Sequence, residues 1–307
     1  EISECLVGSE MCIRDRLIAG MPLFDSMTLT FGTVGTGGFG LLNSSIASYS
    51  TAVQIIITVF MIICSINFTV YYMFLIKRPK EALMCEEMRY YLLIVFGSAL
   101  LIAFNIRASF ASFGKAFQQA IFQVASVIST TGFATADFNL WPEFSRMILV
   151  LLMFVGACAG STGGGFKVSR LIIMVKSVRN EIMSVTHPRS VQKVHMDGRR
   201  IPDNVVKTVL CYLAGYVVIL IVSVLLISLD NFDMTTNFTA VMATFNNVGP
   251  GLNRVGPTGN FGGFSVLSKL VLMFDMLVGR LELYPMLVIF APGLWRIHPH
   301  RHVGKVQ

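Results

Sequence analysis

The chain has 307 residues, of which 54% are hydrophobic and 13% are charged, and its mean hydropathy is +0.69. Soluble domains carry roughly a quarter charged residues, so this composition excludes an ordinary soluble domain and indicates a membrane protein. The net charge of +7 lies mainly in connections between apolar segments, which argues against a nucleic acid as its partner.

The first segment, residues 1–16, does not fit the rest of the chain. It is polar and shows neither the apolar region of a signal peptide nor an amphipathic pattern. The pattern of apolar segments begins near Leu17, and the first of them is a short run with no membrane-spanning segment before it. We interpret residues 1–16 as a non-native or misassembled start on a truncated chain.

Apolar segments of two lengths follow in alternation. A bilayer-spanning helix needs about 20 apolar residues, and five segments are long enough: 51–76, 88–106, 147–176, 206–229 and 266–295. Three shorter, half-apolar runs at 21–33, 115–129 and 235–246 each lead directly into a glycine segment. Irregular backbone survives at membrane depth only where it lines a cavity, so these runs are predicted to be re-entrant pore helices.

The three glycine segments share one design, a small or polar pair followed by glycine and then by Phe or Pro. They read Thr36-Gly37-Gly38-Phe39, Thr130-Thr131-Gly132-Phe133 and Asn247-Val248-Gly249-Pro250. Residues 33–37 spell Thr-Val-Gly-Thr-Gly, close to the filter of potassium channels, in which backbone carbonyls replace the ion's hydration shell. Three copies predict an ion pathway. The acidic residues near these loops are too few to favour a carboxylate ring instead: Asp25, Asp137, Asp230 and Asp233.

Residues 156–165 contain five glycines inside an otherwise apolar segment. Glycine costs about 1 kcal/mol relative to alanine within a helix, so the cluster is predicted to unwind it. The alternative is close helix packing through small residues. We favour an unwound loop beneath the filter, acting as a gate, formed by Gly160, Ser161, Thr162, Gly163, Gly164 and Gly165.

Arg280 is a charged residue inside the last apolar segment, and such residues are functional candidates because an unpaired charge there is costly. A structural arginine would be satisfied by Glu282 or Asp275. In the functional interpretation, Arg280 lies below the filter and donates to carbonyls of the glycine-rich loop, where it raises an electrostatic barrier to cations.

The orientation of the chain in the membrane follows from the basic residues, which concentrate at 77–89, 176–207 and 296–305 and are predicted to be cytoplasmic. A cytoplasmic protein partner is a second explanation for them.

Three enzyme-like or metal-site patterns fail on context. Residues 35–40 match Gly-x-Gly-x-x-Gly, but an uncharged span follows where a dinucleotide site needs an amphipathic helix. Residues 160–167 approach the phosphate-loop pattern inside an apolar segment, and Ser161 as a nucleophile lacks a histidine base nearby. The six cysteines are scattered, which argues against a disulfide framework or a zinc site. No enzymatic activity is predicted.

Five stretches carry a resemblance to a known family. They are residues 33–39, 129–138, 156–170, 245–252 and 279–283, and the similarity runs from about Leu17 to Trp295. In them the chain resembles the Trk/Ktr/HKT superfamily of potassium transporters, and most closely its TrkH-type membrane subunits.

The resemblance implies an all-α membrane protein with repeated helix–pore-helix–helix units around a pseudo-fourfold, potassium-channel-like pore. The units here are residues 17–80 (repeat 2), 81–180 (repeat 3, with a broken gating helix) and 206–297 (repeat 4), with a basic connection at 181–205 and a tail at 298–307. It implies filter glycines at Gly38, Gly132 and Gly249, a gating loop at 156–165, and Arg280 as the arginine that meets it.

The resemblance also implies a multi-pass protein of the bacterial inner membrane that works as a homodimer with a cytoplasmic, nucleotide-binding, TrkA-type subunit. Potassium is the expected transported ion, by uptake or symport, with no covalently bound cofactor and no nucleic acid partner. The family has four filter segments and this chain has three, with the first repeat missing, so we expect the 307-residue chain alone not to conduct. A sodium-permeable or sodium–potassium co-transporting protein and a nonconducting scaffold fragment are the alternatives.

Overall fold

The computed structural model describes residues 2–42, 44–187 and 193–289, and side chains are described for most of these. Helices dominate, as the sequence predicts. They are α1 (Ile2–Ile18), α2 (Leu23–Val34), α3 (Thr51–Cys64), α4 (Phe68–Leu75), α5 (Pro79–Met84), α6 (Glu86–Ile106), α7 (Phe113–Ile128), α8 (Glu143–Val155), α9 (Val168–Thr186), α10 (Asp203–Ile227), α11 (Met234–Phe245), α12 (Val266–Leu281) and α13 (Leu283–Ile289). A two-stranded antiparallel hairpin, β1 (His195–Met196) and β2 (Arg199–Arg200), lies between α9 and α10.

The helices begin where the sequence supplies a cap. Ser112, Asp233 and Ser265 accept hydrogen bonds from backbone amides in the first turns of α7, α11 and α12. The hydrogen bonds that Thr236 donates hold the pKa of the Asp233 carboxyl below its usual range. Pro22, Pro142 and Pro202 precede α2, α8 and α10, where the lack of an N–H group costs nothing.

Two helices of the described chain are long and apolar enough to cross a membrane. They are residues 86–109, built on α6, and residues 203–230, built on α10; a third span is possible if the bent pair α3 and α4 counts as one. Large apolar side chains such as Leu93, Phe104 and Leu225 are exposed on these helices. Their exposure fits a lipid-facing surface rather than a water-facing one.

Two predicted spans are wrong in detail. Residues 51–76 do not form one helix, because α3 and α4 meet at a 90° bend around Ser65–Asn67, where the Asn67 side chain caps α4. Residues 266–295 are interrupted at Glu282, whose φ of 65° ends α12 before α13 begins. The end of that predicted span and the predicted tail at 298–307 lie outside the described residues.

Residues 1–16, interpreted from the sequence as a non-native start, fall almost entirely in α1. The Arg16 side chain is buried, and its Nη2 donates to Thr33 Oγ1 at 2.8 Å. Helix α1 thus packs against α2. The interpretation of this segment as non-native stays a prediction.

The largest core lies between α6, α7 and α8. Ala99 and Ala103 of α6 and Ala116 and Ala120 of α7 are fully buried in it, and small residues of this kind let two helices approach closely. Helix α7 is held in this way at the centre of the described chain, between α3 on one side and α8 on the other.

We predict that Ala103→Leu lowers the free energy of unfolding by about 1–3 kcal/mol, because the added carbons have no space between α6 and α7. Unfolding of the purified chain by a denaturing detergent measures the effect. The matched control is Ala52→Leu on the exposed side of α3, which should change stability by no more than about 0.5 kcal/mol. Equal losses in the two variants would contradict the close packing of α6 on α7.

Candidate ion pathway

The three glycine segments follow α2, α7 and α11 directly and share one backbone conformation. In each of them a residue with positive φ is followed, two positions later, by a glycine with positive φ. The pairs are Thr36 (50°) with Gly38 (66°), Thr130 (58°) with Gly132 (85°), and Asn247 (56°) with Gly249 (99°). Positive φ is costly for side chains with a Cβ and free for glycine, which explains the glycine at the third position of each segment. We call these segments filter loops one, two and three.

The amides of each filter loop bind back to the short helix that precedes it. In loop two, Thr131 N and Gly132 N both donate to Ser126 O, at 3.0 and 3.3 Å. Loops one and three repeat the arrangement: Gly37 N and Gly38 N donate to Gly32 O, and Val248 N and Gly249 N donate to Ala243 O. In a trans peptide the C=O points opposite to the N–H. The carbonyls of residues 36, 37, 130, 131, 247 and 248 therefore point away from their helices.

The loops lie side by side in chain order. A Cβ added to Gly38 would lie 1.6 Å from Thr131 O, and a Cβ added to Gly132 would lie 2.1 Å from Val248 O. Each of these glycines thus touches the outward-pointing carbonyl of the next loop. A Cβ added to Gly249 would meet no atom within 4 Å in the described part of the chain.

Hydrogen bonds after the glycines also join neighbouring loops. Ile46 N donates to Ala134 O at 3.1 Å, and Ala134 N donates to Ser45 Oγ at 3.1 Å, which joins loop one to loop two. Between loops two and three, Asn253 N donates to Asn139 Oδ1 at 2.9 Å and Asn139 Nδ2 donates to Asn253 O at 3.3 Å. The spacing of the three loops is therefore fixed on the side away from the pore helices.

Filter loop three is tied to the helices on either side of it. Asn246 Nδ2 donates to Tyr216 Oη of α10 at 2.8 Å, and Asn247 Nδ2 donates to Met276 O of α12 at 3.2 Å. Helix α12 comes close at Gly279, where an added Cβ would lie 1.8 Å from Phe245 O. The side chains of Asn246 and Asn247 thus brace filter loop three.

The glycine-rich stretch between α8 and α9 is not helical and lies against all three filter loops. Gly164 N donates to Thr130 Oγ1 at 2.7 Å, and the Thr36 hydroxyl lies 2.9 Å from Thr162 O. A Cβ added to Gly164 would lie 2.9 Å from Asn246 O, so loop three is in contact too. Gly160, Ser161, Thr162, Gly163, Gly164 and Gly165 therefore lie together under the filter loops, and we call them the gating loop.

Arg280, near the end of α12, connects the gating loop to filter loop one. Its Nη1 donates to Thr162 O at 3.1 Å, and its Nη2 donates to Gly35 O at 3.2 Å. The two acidic residues nearby have other partners. Glu282 forms an ion pair with Arg170 at 2.9 Å, and Asp275 accepts a hydrogen bond from Ser223 Oγ at 2.8 Å. Of the two alternatives for Arg280, the structure has the one in which it donates to backbone carbonyls.

A cavity of about 360 Å³ lies beside the gating loop. Its charged side chains are Lys167, Arg170, Arg280 and Glu282. Lys167 Nζ donates to Gly163 O, so a second cation holds a gating-loop carbonyl. Three cations against one carboxylate make this space unfavourable for a cation while the gating loop stays in place.

Sequence reasoning missed two residues that contact this region. Glu87 is 2% exposed and accepts a hydrogen bond from Ala159 N, next to the gating loop. Asn67 lies at the bend between α3 and α4, within 3.2 Å of a Cβ added to Gly160. An acidic residue at the very start of an apolar span was the available signal for Glu87, whereas nothing in the sequence marked the bend.

The enzyme-like patterns have no catalytic geometry in the described residues. Ser161 Oγ donates to Cys158 O at 2.6 Å, which is a local turn contact. Residues 35–40 follow helix α2, whereas a dinucleotide motif would follow a strand. Clusters of His, Cys, Asp or Glu that could hold a metal ion are also absent from the part of the chain that the structure describes.

Comparisons with known proteins agree with this geometry. The profile of the family described as "TrkH: Cation transport protein" matches residues 8–297, beginning ahead of Leu17. The Trk system potassium uptake protein TrkH of Salmonella typhimurium is 34% identical over 292 residues, which cover 93% of this chain and 59% of that protein. The protein of the same name from Vibrio parahaemolyticus is 35% identical over 286 residues, covering 91% and 58%.

A solved structure gives the same result. The crystal structure of the potassium transporter TrkH from Vibrio parahaemolyticus superimposes with a TM-score of 0.87 at 33% sequence identity, covering 95% of this chain and 63% of that one. The chain thus spans about three-fifths of the length of these relatives. On the family match and these identities, the chain belongs to the TrkH family of cation transport proteins.

Proposed function

We propose that this chain forms three quarters of a pore through which potassium ions enter a bacterial cell, and that the gating loop controls passage. The observation that carries the proposal is the arrangement of the filter loops, whose carbonyls point away from their helices and meet at neighbouring glycines. The relatives named above are potassium uptake proteins, which supports potassium as the transported ion.

Selectivity in this proposal comes from backbone oxygens. An ion that enters the filter loses water, and carbonyls at fixed spacing replace that water. The short helices α2, α7 and α11 end at the loops, so the negative ends of their dipoles face the ion as well. The hydrogen bonds between loops oppose the spreading that a poorly fitting ion would require.

The gate in this proposal is the gating loop with its cationic neighbours. While Arg280 and Lys167 hold Thr162 O and Gly163 O, those carbonyls are unavailable to potassium and positive charge lies in its path. Movement of the loop would release the carbonyls and remove the charge together. Glycine makes such a loop easy to move, because its backbone adopts many conformations at little cost.

The setting we propose is a multi-pass homodimer in the bacterial inner membrane, regulated by a cytoplasmic, nucleotide-binding, TrkA-type subunit. The long apolar helices are evidence for the proposed location in a membrane. The basic connection, with its β1–β2 hairpin, is evidence for a docking surface on the cytoplasmic side. Symport of a second ion belongs to the same proposal. We further propose that the protein has no enzymatic activity, in keeping with the transporter names of its relatives.

Substitution of Gly132 tests the filter. We predict that Gly132→Ser lowers the preference for potassium over sodium by about tenfold, which corresponds to a loss of about 1.4 kcal/mol. The physical reason is that the new Cβ would lie 2.1 Å from Val248 O and must displace that carbonyl. Potassium and sodium uptake are measured in cells that lack their own uptake systems. Those cells express a chimera in which residues 8–297 replace the matching part of the Vibrio relative.

The matched control is Gly97→Ser in α6, where an added Cβ meets nothing within 4 Å. It should leave the ion preference unchanged. A sodium-permeable protein would show little preference before any substitution, and a scaffold would show no uptake in the unsubstituted chimera. If Gly132→Ser and Gly97→Ser give the same ion preference, the filter loops do not select the ion.

Substitution of Arg280 tests the gate. We predict that Arg280→Gln raises basal potassium uptake of the same chimera by about tenfold, in line with the loss of about 1.5–3 kcal/mol from hydrogen bonds made by a charged donor. Arg107→Gln, at the exposed end of α6, is the control and should leave uptake unchanged. Uptake that falls in Arg280→Gln would show that the arginine supports conduction rather than opposing it.

A further inference from the structure

Glu87 is a buried carboxylate beneath the gating loop. It lies in the first turn of α6 and is 2% exposed. Burial of an ionised group is costly unless hydrogen bonds replace the lost water. The bonds that Glu87 makes therefore show what holds it in place.

Both ends of the gating loop donate to this one carboxylate. Ala159 N, directly before the loop, donates to Glu87 Oε1 at 2.6 Å, and Ser169 N, in the first turn of α9, donates to the same oxygen at 3.2 Å. The two amides are ten positions apart in the chain. The carboxylate thus joins the segment that follows α8 to the first turn of α9.

A third bond reaches the bend between α3 and α4. Asn67 Nδ2 donates to Glu87 Oε2 at 3.4 Å, while Asn67 Oδ1 accepts from Thr69 N at 2.9 Å and caps α4. The next residue, Phe68, donates its N–H to Gly160 O at 3.1 Å. The bend and the Glu87 carboxylate together therefore fix the position of Gly160, the first residue of the gating loop.

The bonds of the loop centre are of another kind. They run to Thr130 Oγ1 and the Thr36 hydroxyl of the filter, to Arg280 and Lys167, and to Cys64 O. These groups surround the pathway itself, whereas Glu87 and Asn67 bind the flanks from below. The centre and the flanks of the loop are thus bound by different groups.

We propose that Glu87 is a positioning residue of the gate: its carboxylate fixes both flanks of the gating loop, so that movement is confined to the residues between Ala159 and Ser169, which include the gating loop. The inference rests on the proposed function of that loop as a gate. It adds a residue that meets neither the ion nor the filter. The carboxylate is also suited to this place electrostatically, because it faces the N-termini of α6 and α9, where helix dipoles favour negative charge.

Amide exchange of the purified 307-residue chain in lipid nanodiscs tests the proposal without any transport assay. Glu87→Gln keeps the shape of the side chain but removes the charge and turns one acceptor toward Asn67 into a donor. We expect exchange in a peptide covering residues 156–170 to become faster by about tenfold, because a charge-assisted bond is lost at two amides. Exchange in a peptide from α10 should not change.

A double-substitution cycle separates positioning from general loosening. Asn67→Asp alone places a second carboxylate beside Glu87 and should speed exchange of the same peptide. In the Asn67→Asp/Glu87→Gln protein, the new aspartate accepts from the new glutamine, so exchange should be slower than in either single variant. Glu143→Gln in the first turn of α8 is the matched control and should leave the loop peptide unchanged.

Uptake by the chimera gives the functional result. Glu87→Gln should raise the maximal rate of basal potassium uptake severalfold and leave the half-saturating potassium concentration unchanged, because the filter is intact. Unchanged exchange of the loop peptide, equally faster exchange in α10, or additive effects in the cycle would each overturn the role of Glu87. A chimera without uptake would instead contradict the proposed function, and the exchange experiments would still decide the role of Glu87.

Discussion

The return of two loop amides to one helix carbonyl is the interaction on which this structure depends. It occurs three times, from Gly37 and Gly38 to Gly32, from Thr131 and Gly132 to Ser126, and from Val248 and Gly249 to Ala243. These hydrogen bonds satisfy the N–H groups of an irregular segment, and they leave its C=O groups pointing away from the helix. At membrane depth those acceptors need a partner, since no lipid can supply one. In the proposed function, a dehydrated potassium ion is the partner of these carbonyls.

The helix that follows each filter loop is interrupted, and each interruption has a different cause. The bend between α3 and α4 is capped by Asn67, the break between α8 and α9 is opened by glycines, and α12 ends where Glu282 takes positive φ. Glu282 then pairs with Arg170 of α9, so the third interruption is tied to the second. The interruptions free backbone groups near the pathway, and the described contacts show those groups bound by Glu87, Lys167 and Arg280.

Much of the fold could be predicted from the sequence because its signals are local. Apolar length and the glycine segments predicted the bounds of α2, α7 and α11 to within two residues, and the prediction of a TrkH-type family is confirmed. The bend at 65–67 was missed because Ile66, Asn67 and their neighbours read as part of one apolar run. The contacts of Glu87 could not be foreseen either, since residues 67, 87, 159 and 169 meet only through tertiary packing. The filter and gating residues were recognisable because backbone conformation requires glycine there, whereas their supports are ordinary side chains.

The contacts of Gly38 and Gly132 with a carbonyl of the next loop make the positions of the loop carbonyls interdependent. The three loops differ in their side chains, with Thr-Gly-Gly, Thr-Thr-Gly and Asn-Val-Gly at matching positions, yet their main chains agree. A residue that replaced Gly38 would move an oxygen of loop two rather than one of its own. The side chains of the three loops can therefore differ, whereas an atom added at Gly38 or Gly132 would displace a carbonyl of the next loop. A substitution at Gly38 or Gly132 therefore acts on two loops at once.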